Sequence, residues 1–336
     1  RRDLREPRHH RAEAASRTAL VNRAPAAARA LVSAALVATS VSARPAWQLE
    51  QVEPRLTQLS GVWGTSSENV FAIGSRGAIL YFDGNRWIRQ RSGTGKNLAS
   101  VWAASPGWAY AVGLDGVILT FDGRAWKTER SGTTKTLLGV WGSSDADVYA
   151  VGRGGTILHF DGRSWTRQTS GTRHDLTAVW GSSSTDVHAA GLHGTLLHSD
   201  GTRWSADVPA FGWHWTFTAI GGSSAANVYA GGWMRPSGQL GAEREGVLVR
   251  FDGETWSPLS GAESQIVEGI WVARRSEAYL VGPALNGLEQ VRRYDGQGFE
   301  IVDSEGRFAP RAIWGAPTGE LFVVGTNGFV LTKSAG

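Results

Sequence analysis

The chain has 336 residues, with 34 Lys and Arg against 30 Asp and Glu, for a formal net charge of +4. It contains 44 Gly and 16 Trp but no Cys, so a disulfide frame, a thiol nucleophile and a lipoprotein anchor are not expected. A chain of this length can bury a sizeable core.

Residues 1–43 differ from the rest. An arginine-rich stretch leads into the apolar run from Leu31 to Val41 and then Ser42-Ala43, the pattern of a secretory signal peptide cleaved after Ala43. A disordered basic tail is the competing reading. This segment holds eight of the 34 basic residues and three of the 30 acids, so residues 44–336 carry 26 against 27, a net charge of −1. The basic balance therefore gives no support for nucleic-acid or anionic-membrane binding. No other apolar run approaches the length that spans a bilayer. The expectation is a secreted protein, periplasmic or extracellular, with no nucleic-acid partner and no membrane insertion after cleavage.

From residue 44 onward the chain reads as one repeat domain. Its anchors are Val62-Trp63, Val101-Trp102, Val140-Trp141, Val179-Trp180, Ile220-Gly221, Ile270-Trp271 and Ile313-Trp314, spaced 39, 39, 39, 41, 50 and 43 residues apart. Such a period marks a solenoid, an array or a propeller. In the third copy Leu138-Gly139-Val140-Trp141 ends in a Gly-Ser-Ser-Asp turn, and Val148-Tyr149-Ala150-Val151 ends in glycines. Thr156-Ile157-Leu158-His159-Phe160 then runs into Asp161-Gly162, followed by Ser164-Trp165-Thr166-Arg167-Gln168. These are four short strands bounded by turn chemistry, as in one propeller blade. The seventh copy stops at its Asp-Gly position without a fourth strand. Trp47-Gln48-Leu49-Glu50-Gln51 precedes Trp63 by the spacing that separates Trp87 from Trp102, give or take one residue. The expected fold is all-β: a seven-bladed propeller of four-stranded antiparallel blades, closed by this N-terminal strand, which also removes the open edges.

The run Val-Tyr-Ala-Val-Gly followed by Gly-x-Ile-Leu-x-Phe-Asp-Gly-x-x-Trp resembles the Kelch repeat. Phe160-Asp161-Gly162-Arg163-Ser164-Trp165 resembles a degenerate Asp-box of sialidase-like propellers. Residues 47–336 as a whole are similar to secreted bacterial repeat proteins of the VWGSS…DVYAVG…GTILHFDG…W type. Single glycines stand where Kelch has a pair, and the Asp-box lacks its leading Ser or Thr. The resemblance implies the propeller and little chemistry. The arginine triad and nucleophile region of a sialidase cannot be assigned.

Twelve tryptophans follow the repeat: Trp63, Trp102, Trp141, Trp180, Trp271 and Trp314 on inner strands, and Trp47, Trp87, Trp126, Trp165, Trp204 and Trp256 on outer strands. They are expected to pack sheet on sheet. Trp108, Trp213, Trp215 and Trp233 fall outside the pattern. Trp108 lies in the turn between strands one and two, on the opposite face from the rest. Trp213, His214 and Trp215 sit in the loop entering blade 5, and Trp233 opens the blade-5 insertion with Arg235, Gln239, Glu243, Arg244 and Glu245. Both segments map to one rim, beside the irregular blade-6 turn that holds Asn286. Gly221 replaces the anchor Trp of blade 5, which would leave a pocket unless Trp215 or Phe217 fills it. Trp213, His214, Trp215, Trp233, Arg235, Gln239, Glu243, Arg244 and Asn286, with Glu263 nearby, form the candidate ligand site. Its aromatic and charged groups suit a glycan or a protein hot spot alike; holding down a long loop is the bland alternative.

Three histidines map to the same rim, His174, His193 and His214, with Asp175 beside the first. They could form a metal site or an acid–base pair, yet they lack ligand-like spacing, and scattered loop polarity is the simpler account. His159, His188 and His198 occupy strand positions and read as packing. The turn aspartates Asp83, Asp122, Asp161, Asp200, Asp252 and Asp295 recur in six copies, which argues for turn capping. The reading reached is a monomeric, non-enzymatic binding propeller with no cofactor or metal, whose partner is a glycan or protein at the blade 4–6 rim. A propeller lyase or glycosidase using His174, His193, His214 and Asp175 is the rival, and an assembly scaffold is a third reading.

Overall fold

In the computed structural model, described for residues 47–53, 57–207, 211–212, 214–236, 243–274, 277–303, 306 and 308–335, the repeat becomes seven four-stranded antiparallel sheets. These residues belong to one unit, Ala43–Gly336; the expected signal segment 1–43 lies outside the described residues. Blades 1 to 6 span 59–90, 98–129, 137–168, 176–206, 215–258 and 269–303, each folding in strand order from the axis outward. The third blade is representative: Leu137–Ser144, Asp147–Gly152, Thr156–Phe160 and Trp165–Gln168. Blade 7 takes three strands from 310–333 and its outer strand from Trp47–Gln51. Trp47 faces Lys333, Leu49 faces Leu331 and Gln51 faces Phe329. The ring closes as the spacing predicts.

Two aromatic layers hold adjacent blades together. Near the axis, five of the six anchor tryptophans pack over a glycine of the next blade: Trp102 over Gly142, Trp141 over Gly181, Trp180 over Gly222, Trp271 over Gly315 and Trp314 over Gly64; after Trp63 that register is held by Ala103. A Cβ added at Gly142, Gly181 or Gly222 would stand 2.8 Å or less from the indole, so the glycine is a steric requirement of its neighbour. Farther out, an aromatic on strand two packs on the strand-three and strand-four aromatics of the following blade. Phe71 meets Phe121 and Trp126 at 5.5 and 5.6 Å, and Tyr110 meets Phe160 and Trp165 at 5.9 and 6.0 Å. Phe322 of blade 7 meets Phe82 and Trp87 of blade 1, at 5.8 and 6.3 Å. Such ring pairs contribute about 0.5–1.5 kcal/mol each beyond the area they bury.

The vacancy expected at Gly221 is not there. Val272 of blade 6 occupies the register where the other blades have glycine or, in blade 2, Ala103, and it is buried at 4 % exposure with a methyl 3.9 Å from a Cβ placed on Gly221. Losing the Trp on one blade and gaining a Val on the next are matched changes in one volume. Neither Trp215 nor Phe217 fills that space. Phe217 is fully buried at the position held by Leu59, Leu98, Leu137 and Leu176 in earlier copies, at the other end of the strand.

All six turn aspartates cap their own turns. Asp161 Oδ1 accepts from the amides of Arg163 and Ser164, each at 2.9 Å, and the other five repeat the pattern. Those amide donors favour the anion and hold the Asp161 carboxyl below its ordinary pKa.

Candidate binding rim

Loops joining one blade's outer strand to the next blade's inner strand share a rim with the turns between strands two and three. Blade 5 stands tallest there. Its strands Trp215–Ser224, Asn227–Met234 and Glu245–Phe251 run farther than their counterparts, pairing Trp215 with Met234, and Met234 with Glu245. Gly232 keeps the close backbone approach of every earlier copy, its Cβ position 2.0 Å from the Thr216 carbonyl, but here the strand continues past it through Trp233 and Met234. Hydrogen bonds tie the tall hairpin to blade 6. Gly246 donates to the Glu263 carbonyl at 3.0 Å, Leu285 donates to that of Ser264 at 2.9 Å, and Gln265 bridges to Ala284.

Trp213 and Gln239 lie outside the described residues. The remaining candidates divide into two groups. Trp233 carries the Arg244 guanidinium 4.1 Å from its ring centroid and that of Arg235 at 5.8 Å. Arg235, Glu243 and Arg244 are exposed and Glu245 is half-buried. Trp215, half-buried, stacks on Phe211 at 5.0 Å and 25°, and its carbonyl accepts the Gly194 amide at 2.8 Å. The His214 carbonyl receives the Arg235 amide at 3.4 Å, linking the two segments. Asn286 is exposed, with Oδ1 capping the Leu288 amide at 3.1 Å. Beside it Leu285 and Leu288 are 44 and 48 % exposed, an apolar pair that the sequence reading did not single out.

The rim histidines do not converge on one point with Asp175. His174 and His193 touch, ring centroids 4.7 Å apart, and His174 Nδ1 lies 3.1 Å from Thr195 Oγ1. Asp175 Oδ1 instead accepts the Gly154 amide at 2.8 Å, locking the blade-3 turn onto the loop entering blade 4, as Asn97 does for Arg76 one repeat pair earlier. His193 sits at φ 58, where the other copies have Gly154, Asp115, Arg76 and Asn327. Among the described residues, the cluster whose donor atoms lie close enough to share an ion is a different one, Asp186, His188 and His198, toward the opposite rim. Trp108 is on that opposite side too, its Nε1 donating to the Tyr110 hydroxyl at 3.0 Å.

Two buried polar residues support the rim from below. Gln265 Nε2 donates to the Gly282 and Gln290 carbonyls, both at 2.9 Å. Arg292 binds Ser264 Oγ at 2.8 Å and the Gly261 carbonyl at 3.3 Å, with its guanidinium 4.8 Å from the Phe299 ring. Burial pushes the Arg292 pKa down, against the pull of Glu263. A signal for Arg292 existed: it interrupts a strand-three column that reads Leu80, Leu119, Leu158, Leu197, Val249 and Leu331 elsewhere. The axial channel, about 420 Å³, is lined by inner strands and carries an Arg311–Glu268 ion pair at 2.9 Å.

The chain is a seven-bladed β-propeller. No protein-family model matches it, and a search of curated proteins gave no match. Solved structures share the fold. One described as YCF48 bound to D1 peptide has a TM-score of 0.66 at 15 % identity, over 86 % of this chain and 95 % of that one. YCF48 from Cyanidioschyzon merolae gives 0.66 at 14 %, over 86 and 98 %. The WD40 β-propeller domain of Doa1 gives 0.69 at 13 %, over 86 and 97 %.

Proposed function

We propose that this propeller is a non-enzymatic binding module that docks a peptide segment of a protein partner on the rim of blades 4 to 6. The observation that carries this reading is the guanidinium of Arg244 lying 4.1 Å over Trp233. A sugar stacks on an open aromatic face, and here Arg244 covers Trp233 while Phe211 covers Trp215. An Arg–Trp pair on the same rim as exposed Leu285 and Leu288 suits a peptide with apolar and carboxylate side chains. The peptide-bound YCF48 structure lends support, since it has the same fold. Residues 1–43 are read as an export signal, so the partner is extracytoplasmic; N-terminal sequencing of the exported protein tests that part.

A displayed peptide library and a glycan array, screened side by side with the purified protein, test the reading. Peptides should be captured by the native chain and lost by Trp233→Ala/Arg244→Ala at an unchanged melting temperature. Glycan binding that the same variant loses would replace the peptide with a sugar.

A further inference from the structure

The aromatic column on strand two reads Phe71, Tyr110, Tyr149, Tyr229, Tyr279 and Phe322, but blade 4 places His188 there. The imidazole does pack as a core group, 1 % exposed, with Phe251 at 5.4 Å and Trp256 at 5.9 Å from blade 5. Unlike a phenyl ring it brings two polar nitrogens, and neither makes a hydrogen bond. Nε2 is 3.3 Å from Asp186 Oδ1 and Nδ1 is 3.6 Å from Asp207 Oδ2. A buried imidazole held only by such long carboxylate contacts is poorly satisfied, so packing alone gives no reason for histidine here.

The surroundings supply one. His198 is the cross-strand neighbour of His188, the rings 4.6 Å apart, and its Nε2 lies 3.0 Å from the same Asp186 Oδ1. One donor atom from each of Asp186, His188 and His198 falls within 4.8 Å of the others. Ser182 Oγ donates to the second oxygen of Asp186 at 2.5 Å, fixing the carboxylate. We infer that Asp186 Oδ1, His188 Nε2 and His198 Nε2 bind one divalent transition-metal ion of the zinc class, with Asp207 orienting His188 through Nδ1.

Donors on a tetrahedral zinc with bonds of about 2.0–2.1 Å stand about 3.3 Å apart, close to the 3.3 and 3.0 Å seen here. The ion would take up Nε2 of His188, and Asp207 would accept from its Nδ1, so both nitrogens would exchange a long contact for a closer partner. A carboxylate behind a ligating imidazole is the usual way a protein fixes its tautomer and ring angle. Two imidazoles and one carboxylate favour zinc-class ions over calcium or magnesium, which prefer oxygen. His198, with a third of its side chain exposed, leaves a path for the ion and for a water as fourth ligand.

Blade 3 is an internal control. Asp147 and His159 repeat the Asp186–His198 pair, with Nε2 to Oδ1 at 2.6 Å, but Tyr149 takes the place of His188 and Gln168 that of Asp207. That copy has two ligands and no orienting acid. The proposed site departs from the expectation of a metal-free chain, and it lies away from the rim histidines.

The full-length protein, stripped with chelator, should be titrated with zinc by calorimetry and with cobalt(II) by visible absorption. One tight equivalent per chain is expected, with the intense absorption of four-coordinate cobalt and a raised melting temperature. His188→Tyr/Asp207→Gln installs the blade-3 residues and should fold, while losing at least a hundredfold in affinity. His159→Ala should keep the full equivalent. Titration curves that coincide for the native protein and the folded double variant would overturn the site, as would a native chain that gives no cobalt spectrum.

Discussion

Gly142 and Gly221 are neighbouring positions of the same inner strand in different blades, and their surroundings set opposite tolerances. A methyl at Gly142 meets Trp102 and the Asp147 carbonyl at 2.8 Å, both backed by packed structure, whereas nothing lies within 3.5 Å of one at Gly221. Gly142→Ala is expected to cost about 1–3 kcal/mol by overpacking, and Gly221→Ala to cost well below 1 kcal/mol; calorimetric melting of the two variants distinguishes them. Glu277 offers a pH test. Burial alone would raise its pKa, but hydrogen bonds from Arg274, Arg293 and Tyr279 outweigh burial and hold it below the ordinary value. A carboxyl depressed in the folded state adds stability above about pH 4.3, its unfolded value, and loses it as pH falls through the folded one. Glu277→Gln should be less stable than the native chain near neutrality by about 2 kcal/mol, the gap closing under acid in denaturant titrations run from pH 7 to pH 3. A gap that stays constant over that range would remove the ion-pair account.

At the scale of the blade, the outer-strand Trp donates its indole N–H to the residue three beyond the Trp of the preceding blade. Trp126 binds Gln90 at 2.6 Å, Trp204 binds Gln168 at 2.7 Å, and Trp256 binds Asp207 at 2.9 Å. Blade 2 has Glu129 at that position, exposed, and the Trp165 Nε1 is buried with no partner. A neutral amide can be brought against the indole at lower desolvation cost than a carboxylate. Glu129→Gln is therefore expected to stabilise the protein by about 1 kcal/mol, read as a raised melting temperature; no change would mean that the Gln–Trp bonds elsewhere contribute little. The four strands of each copy were legible because turn residues separate short apolar and β-branched runs. The tall strands of blade 5 were less so, since their extension depends on pairing of Trp215 with Met234 across a hairpin that sequence treats as an insertion.

For the whole molecule, closure is the decisive event. Trp47–Gln51 supplies five cross-strand pairs to Phe329–Lys333, joining residues nearly 290 positions apart. Without it blade 7 would expose an open edge and blade 6 would lose the packing of Trp47 beside Tyr279. Deleting residues 44–52 should lower the melting temperature sharply, and an unchanged melting curve would mean that the ring holds without its clasp. Sequence by itself determined the number of blades, their four strands, the clasp, and the capping role of the turn aspartates, because each rests on a local pattern repeated at a fixed period. Only the tertiary structure decided which changes compensate one another. Val272 fills the place of a Trp missing from Gly221, Arg244 covers Trp233, Asp175 serves a turn, and His188 meets Asp186, His198 and Asp207, because side chains from different strands and blades meet at distances that no linear period encodes.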